Sequence, residues 1–203
     1  MARRLLKPTV FLACLLPLAS ILVDWQQGTL PDPVALTLNR LGFWTLTLLV
    51  LTLACTPAKL TLGWVWPNKV RRMLGLYAFF YGCLHFAVYA GLDQEMNLAD
   101  IGADIVERKF ITIGFVALML LVPLAVTSTQ RMTRRLGFRA WRRLHRLAYV
   151  SAALAVVHFL WRVKADISRP LAFGLVLTLL MGVRLWEVAR QGSKRRIRIS
   201  TLR

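Results

Sequence analysis

Six apolar stretches, each long enough to cross a bilayer as a helix, constrain this chain more than any other feature. They run at about 8–24, 41–58, 73–91, 110–127, 145–163 and 170–189, and a helix needs ~20 apolar residues to traverse the hydrocarbon core. None carries the polar stripe of a helix that faces water on one side. In lipid every backbone N–H and C=O must be paired within the protein, which selects helices for isolated apolar stretches of this length. The connections run from about six to about eighteen residues, too short to fold as domains of their own. The expectation is an all-α membrane protein: one transmembrane domain over 1–203 with six transmembrane helices, and a basic tail at 191–203.

The net charge of +18 would fit a nucleic-acid-binding protein, but its placement argues against one. One set of connections holds Arg3, Arg4 and Lys7, then Lys59, Lys69, Arg71 and Arg72. It continues with Arg131, Arg134, Arg135, Arg139, Arg142 and Arg143, and closes with Arg190, Lys194, Arg195, Arg196, Arg198 and Arg203, with no acid among them. The alternate connections mix Arg40, Arg108, Lys109, Arg162, Lys164 and Arg169 with nearly all the acids. Lys and Arg accumulate on the cytoplasmic side of membrane proteins. The pattern therefore places both termini in the cytoplasm, with membrane lipid, not nucleic acid, as the partner of the basic surfaces. The N-terminal run MARRLLKPTVFLACLLPLAS is read as the first span, because no small-x-small cleavage site follows it.

Cys14, Cys55 and Cys83 all fall inside spans, and neither CxxC nor CxxCH occurs. That removes the cysteine zinc motifs and covalent c-type haem attachment. Tryptophans cluster near span ends, as in an interfacial belt.

The chain has three histidines, His85, His145 and His158, and all sit in apolar segments. An ionisable residue within a span costs about 2.5–3.5 kcal/mol on insertion scales for charged types and is functional by default. Spans 3 and 5 run in the same direction, and His85 and His158 lie about six and five residues from their outer ends. The two share a depth. One planar macrocycle standing between the helices can take an axial imidazole from each, as b-type haem does. Gly75, Ala78 and Gly82 precede His85, and Ala148, Ala152 and Ala155 precede His158, spaced so that a flat group can approach the backbone. Small residues also serve ordinary helix packing.

His145 lies thirteen residues before His158, ~20 Å lower and ~140° around an ideal helix. The matching position on span 3 is Arg72, beside Arg71; arginine holds a propionate or phosphate well and iron poorly. One outer haem is expected, with a second at His145 left open.

RRMLGLYAFFYGCLH in span 3, the W-x-x-LHRLAY entry to span 5 and the later HFLWR carry a resemblance. They look like the MsrQ (YedZ) family, haem-binding membrane subunits of bacterial methionine sulfoxide reductase systems, within the ferric-reductase-like transmembrane superfamily. The resemblance covers nearly the whole chain. It implies an inner-membrane bundle carrying haem b and FMN, with His85, His145 and His158 as haem-associated histidines and Arg71 and Arg72 as the basic pair. It also implies electrons drawn from the quinone pool or a cytoplasmic flavin reductase and delivered to a periplasmic molybdopterin enzyme, MsrP. The alternative is a stand-alone reductase of ferric chelates or oxygen from the same superfamily.

Two surface features complete the reading. Asp93, Glu95, Asp100, Asp104 and Glu107 form an acidic outer cluster, readable as a solvated loop or as a docking face. STQRMTRRLGFRAWRRLH interleaves arginines with Met132, Leu136, Phe138 and Trp141, the pattern of an amphipathic stretch lying on the inner leaflet.

Overall fold

A computed structural model describes residues 2–28 and 31–200, and among these every regular element is helical. In chain order they are α1 (Ala2–Gln27), α2 (Pro33–Leu62), α3 (Pro67–Val88), α4 (Leu98–Glu107) and α5 (Lys109–Val126). Then come α6 (Gln130–Leu136), α7 (Phe138–Leu144), α8 (Leu147–Arg162) and α9 (Ser168–Ser200). Six helical stretches are long and apolar enough to cross a membrane: Leu5–Gln27, Pro33–Leu62, Pro67–Asp93, Lys109–Val126, Phe138–Arg162 and Ser168–Gln191. The side chains of the basic tail from 192 onward lie outside the described residues.

Local chemistry sets the helix ends. α2 begins eight residues before its apolar stretch, because Asp32 accepts the Ala35 N–H at 2.9 Å and Pro33 supplies a preset first turn. It ends at Gly63, whose φ of 70° suits a residue without Cβ. The early start places Arg40 inside α2, where it pairs with Asp24 of α1. The outer segment after α3 is also more ordered than a loop. A π-helical turn, Tyr89–Asp93, continues α3, and Asn97 caps α4 by accepting from Ala99 and Asp100. The arginine-rich stretch folds as α6 and α7, broken at Gly137 with φ 77°.

Packing is inverted relative to a water-soluble bundle. Leu16, Leu179 and Leu185 are all at least 60% exposed, the position expected of lipid-facing side chains. The interior is built where α2 lies along α3 and α5 along α8, with Leu41, Leu49, Leu53, Leu74, Ala78 and Ala152 buried. Ala78 and Ala152 have no exposed surface, which lets backbones approach closely where lipid provides no hydrophobic drive.

Prolines leave gaps in the helical ladders, and side chains from neighbouring helices fill them. Beside Pro17 in α1, the Tyr81 hydroxyl donates to the Cys14 carbonyl at 2.7 Å and accepts the Leu18 N–H at 3.1 Å. Those two groups would otherwise bond each other, so Tyr81 is inserted into the turn. Pro57 removes the N–H that would bond the Leu53 carbonyl, and the Arg184 guanidinium of α9 donates there at 2.6 Å. These substitutions tie α1 to α3 and α9 to α2.

Candidate functional site

α3 and α8 bring His85 and His158 together. Their ring centroids are 6.3 Å apart and their planes stand at 84°. Two metal–nitrogen bonds of about 2 Å, plus the radius of each ring, give a separation of about 6 Å for two imidazoles sharing one metal ion. The observed spacing is compatible with the two rings sharing one metal ion.

The hydrogen bonds fix which nitrogen is free. His85 Nδ1 lies 2.9 Å from the Leu38 carbonyl of α2, and His158 Nδ1 lies 2.6 Å from the Phe110 carbonyl of α5. A carbonyl only accepts, so each Nδ1 is the protonated, donating nitrogen. Nε2 on each ring then keeps its lone pair. Metal-binding histidines commonly make such a bond through the nitrogen that faces away from the metal, and it sets the tautomer and ring orientation.

Around the pair lies a cavity of about 330 Å³. Its walls come from α2, α3, α5 and α8 and are mostly apolar: Phe43, Leu46, Leu49, Phe110, Leu118, Leu121 and Phe159. Ser151 and Ala155 line it from α8 and Gly82 from α3. At the end bearing the acidic loops, Arg108, Arg162, Asn39 and Asp93 ring the mouth. Arg108 is held by Asp104 at 3.0 Å, and Asp104 also accepts from the Tyr89 hydroxyl at 3.1 Å.

Two glycines make room for the rings. A Cβ on Gly114 would lie 2.6 Å from His158 Nδ1, and one on Gly42 would lie 3.3 Å from His85 Cε1. The first contact is impossible without displacing the imidazole. The donor set, the apolar walls, the glycine clearances and the Arg162 guanidinium at the mouth suit a flat, hydrophobic, carboxylate-bearing macrocycle with a central metal.

The remaining sequence candidates lie elsewhere. His145 ends α7 at the break before α8, stacked on Trp141 with centroids 3.9 Å apart, and its Nδ1 bonds the Trp141 carbonyl at 3.1 Å. It does not join the His85–His158 pair. Arg71 donates to Thr56 Oγ1 at 3.2 Å near the basic end; neither it nor Arg72 lines the cavity. Of the small residues read beside the histidines, Gly82 and Ala155 line the cavity. Gly75 instead packs on Thr52.

Sequence reasoning missed what α2 and α5 contribute: Gly42, Gly114 and the carbonyls of Leu38 and Phe110. It also missed the cavity-mouth cations Arg108 and Arg162. Only Arg162 left a usable signal, since it lies four residues beyond His158 and so one turn further along the same face.

The family profile described as Ferric reductase like transmembrane component matches residues 10–156, a stretch that includes His85 and His145 and stops two residues short of His158. A Rhodospirillum rubrum protein named protein-methionine-sulfoxide reductase heme-binding subunit MsrQ is 50% identical over 189 residues, covering 93% of this chain and 91% of its own. Proteins of the same name from Deinococcus radiodurans and Herminiimonas arsenicoxydans are 47% and 42% identical. They cover 91% and 94% of this chain, and 92% and 88% of their own lengths.

Proposed function

Given that the chain belongs to the ferric-reductase-like transmembrane family and, within it, to the MsrQ subunits of protein-methionine-sulfoxide reductase, we propose that it is the haem-carrying electron conduit of such a system. The observation that carries this reading is the His85–His158 pair, with both Nδ1–H groups committed to carbonyls and the rings 6.3 Å apart.

Bound there, b-type haem supplies a one-electron ferric–ferrous couple. His85 and His158 would hold its iron through their free Nε2 atoms. The Leu38 and Phe110 carbonyls hold the rings in orientation and raise their basicity. Arg162 at the mouth is placed to bind a carboxylate by a charge-assisted hydrogen bond, while Arg108 is already held by Asp104. Phe43, Phe110, Phe159 and the leucines keep water from the metal position.

Direction follows from the charge pattern. The arginine-bearing ends of the helices lie in the bacterial cytoplasm by the positive-inside rule, so the cavity opens toward the periplasm. Electrons enter from the quinone pool or a cytoplasmic flavin reductase and leave to a periplasmic molybdopterin subunit of the MsrP kind. The result is repair of oxidised periplasmic proteins. The FMN that the resemblance implies would bind at the arginine-rich inner surface, where guanidinium groups hold phosphate well.

The test is haem quantification by pyridine haemochrome in purified wild type, His85→Ala and His158→Ala, with partner co-purification scored alongside. Loss of haem in both variants is expected, together with recovery of a molybdenum-containing partner. Unchanged haem in both variants overturns the ligand assignment.

A further inference from the structure

Directly beneath the cavity lies a second cluster of polar side chains. Arg184 of α9 reaches across to α2 and α8. It donates to the Leu53 carbonyl and to the Tyr149 hydroxyl, with its guanidinium 5.0 Å from the centre of the Tyr149 ring. Two of its five N–H donors are thereby engaged, and Nε is buried without a partner. Arg71 of α3 sits close by. It donates to Thr56 Oγ1 of α2 at 3.2 Å, and Thr56 lies three residues, about one turn, beyond the Leu53 carbonyl that Arg184 binds, so both guanidinia reach the same stretch of α2. The only ion pairs among the described residues are Arg40–Asp24 and Arg108–Asp104, so no carboxylate balances these two cations. Buried charges are normally paired, and an unfilled donor in the interior costs roughly 1–3 kcal/mol.

Position narrows the ligand. Arg184 lies seven residues before Gln191, where the sixth span ends, which is about 10 Å inside the membrane. A phospholipid headgroup stays at the interface, so a group reaching this depth is itself lipid-soluble. Two unbalanced guanidinia favour an oxygen that can ionise. The cavity floor is adjacent: Leu49 is one helical turn, about 6 Å, from Leu53, and Ser151 is two residues from Tyr149.

We propose that Arg184, Tyr149 and Arg71 form the headgroup site of a lipid-soluble hydroquinone, with the guanidinia binding its deprotonated oxygen one turn below the histidine pair. The proposal rests on the haem reading above and locates its electron donor. Oxidation of one hydroquinone there breaks two O–H bonds. The two protons leave to water at the basic end, and the two electrons pass one at a time to the one-electron centre held by the histidines, yielding quinone.

The test uses full-length haem-loaded protein, an azido-quinone photolabel and decylubiquinol. Expected are labelling of the segments containing Tyr149 and Arg184, blocked by excess decylubiquinone, and at least tenfold slower haem reduction by decylubiquinol in Arg184→Gln and Tyr149→Phe. The dithionite-reduced spectrum stays at wild type in both. Glutamine retains a donor for the Leu53 carbonyl, and Arg184→Lys, which keeps the charge at this depth, recovers part of the rate. Labelling elsewhere, or wild-type reduction rates in both variants, overturns the site. Protection by flavin mononucleotide in place of decylubiquinone overturns it too, by identifying a phosphate site. Photolabelling needs no haem, so failure of this proposal and failure of the haem assignment are read separately.

Discussion

Gly114 on α5 faces the His158 ring so closely that a Cβ there would fall 2.6 Å from Nδ1. Within a helix, Gly→Ala normally stabilises by about 0.5–1 kcal/mol. Here the steric term opposes that gain, because the ring must move and its bond to the Phe110 carbonyl must break. Gly114→Ala is expected to assemble as a helical membrane protein and to lose most of its haem. Gly42→Ala, at 3.3 Å from His85, retains more. Haem-to-protein ratios of the two variants check the order; full haem in Gly114→Ala contradicts it.

Arg162 sits one turn beyond His158, at the cavity mouth. A guanidinium–carboxylate bond contributes about 1.5–3 kcal/mol when shielded and less when solvated. Arg162→Gln should therefore raise the haem dissociation rate by about tenfold at low salt, with Arg162→Lys between it and wild type. Transfer of haem to an excess of a high-affinity acceptor protein measures this. Equal rates for all three would remove Arg162 from the site.

The Tyr81 hydroxyl is inserted between Cys14 and Leu18 of α1, and α1 does not line the cavity. Tyr81→Phe should lower stability by about 1–2 kcal/mol, because it leaves a carbonyl and an N–H unpaired in the interior. The haem spectrum should be unchanged. Unfolding in mixed micelles followed by circular dichroism, with parallel absorbance spectra, separates the two effects.

These residues also show what the sequence could and could not convey. The depth of His85 and His158 was legible because charge alternation orients each span and counting from its end gives a level. Their pairing across α3 and α8 followed from that. The Leu38 and Phe110 carbonyls were not legible, since they lie 47 and 48 residues from the rings they hold and any backbone carbonyl looks alike in sequence. Gly42 and Gly114 were hidden for a related reason: a glycine in an apolar span signals close approach without naming what approaches. A straight-helix count over 145–163 sets His145 apart from His158 but carries no sign of a break beside it. In the structure the chain breaks at His145 and Arg146, which turns the ring onto Trp141. The role of Arg184 depends on Pro57, more than a hundred residues away, and only the folded chain juxtaposes them.

The most direct measurement is the ferric electron paramagnetic resonance spectrum of the purified protein, compared with His158→Ala and His145→Ala. Two imidazoles at 84° on one iron predict a strongly anisotropic low-spin signal in wild type. That signal should persist in His145→Ala and be replaced by a high-spin signal, or lost with the haem, in His158→Ala. A low-spin signal that survives His158→Ala unchanged would contradict the account at its centre.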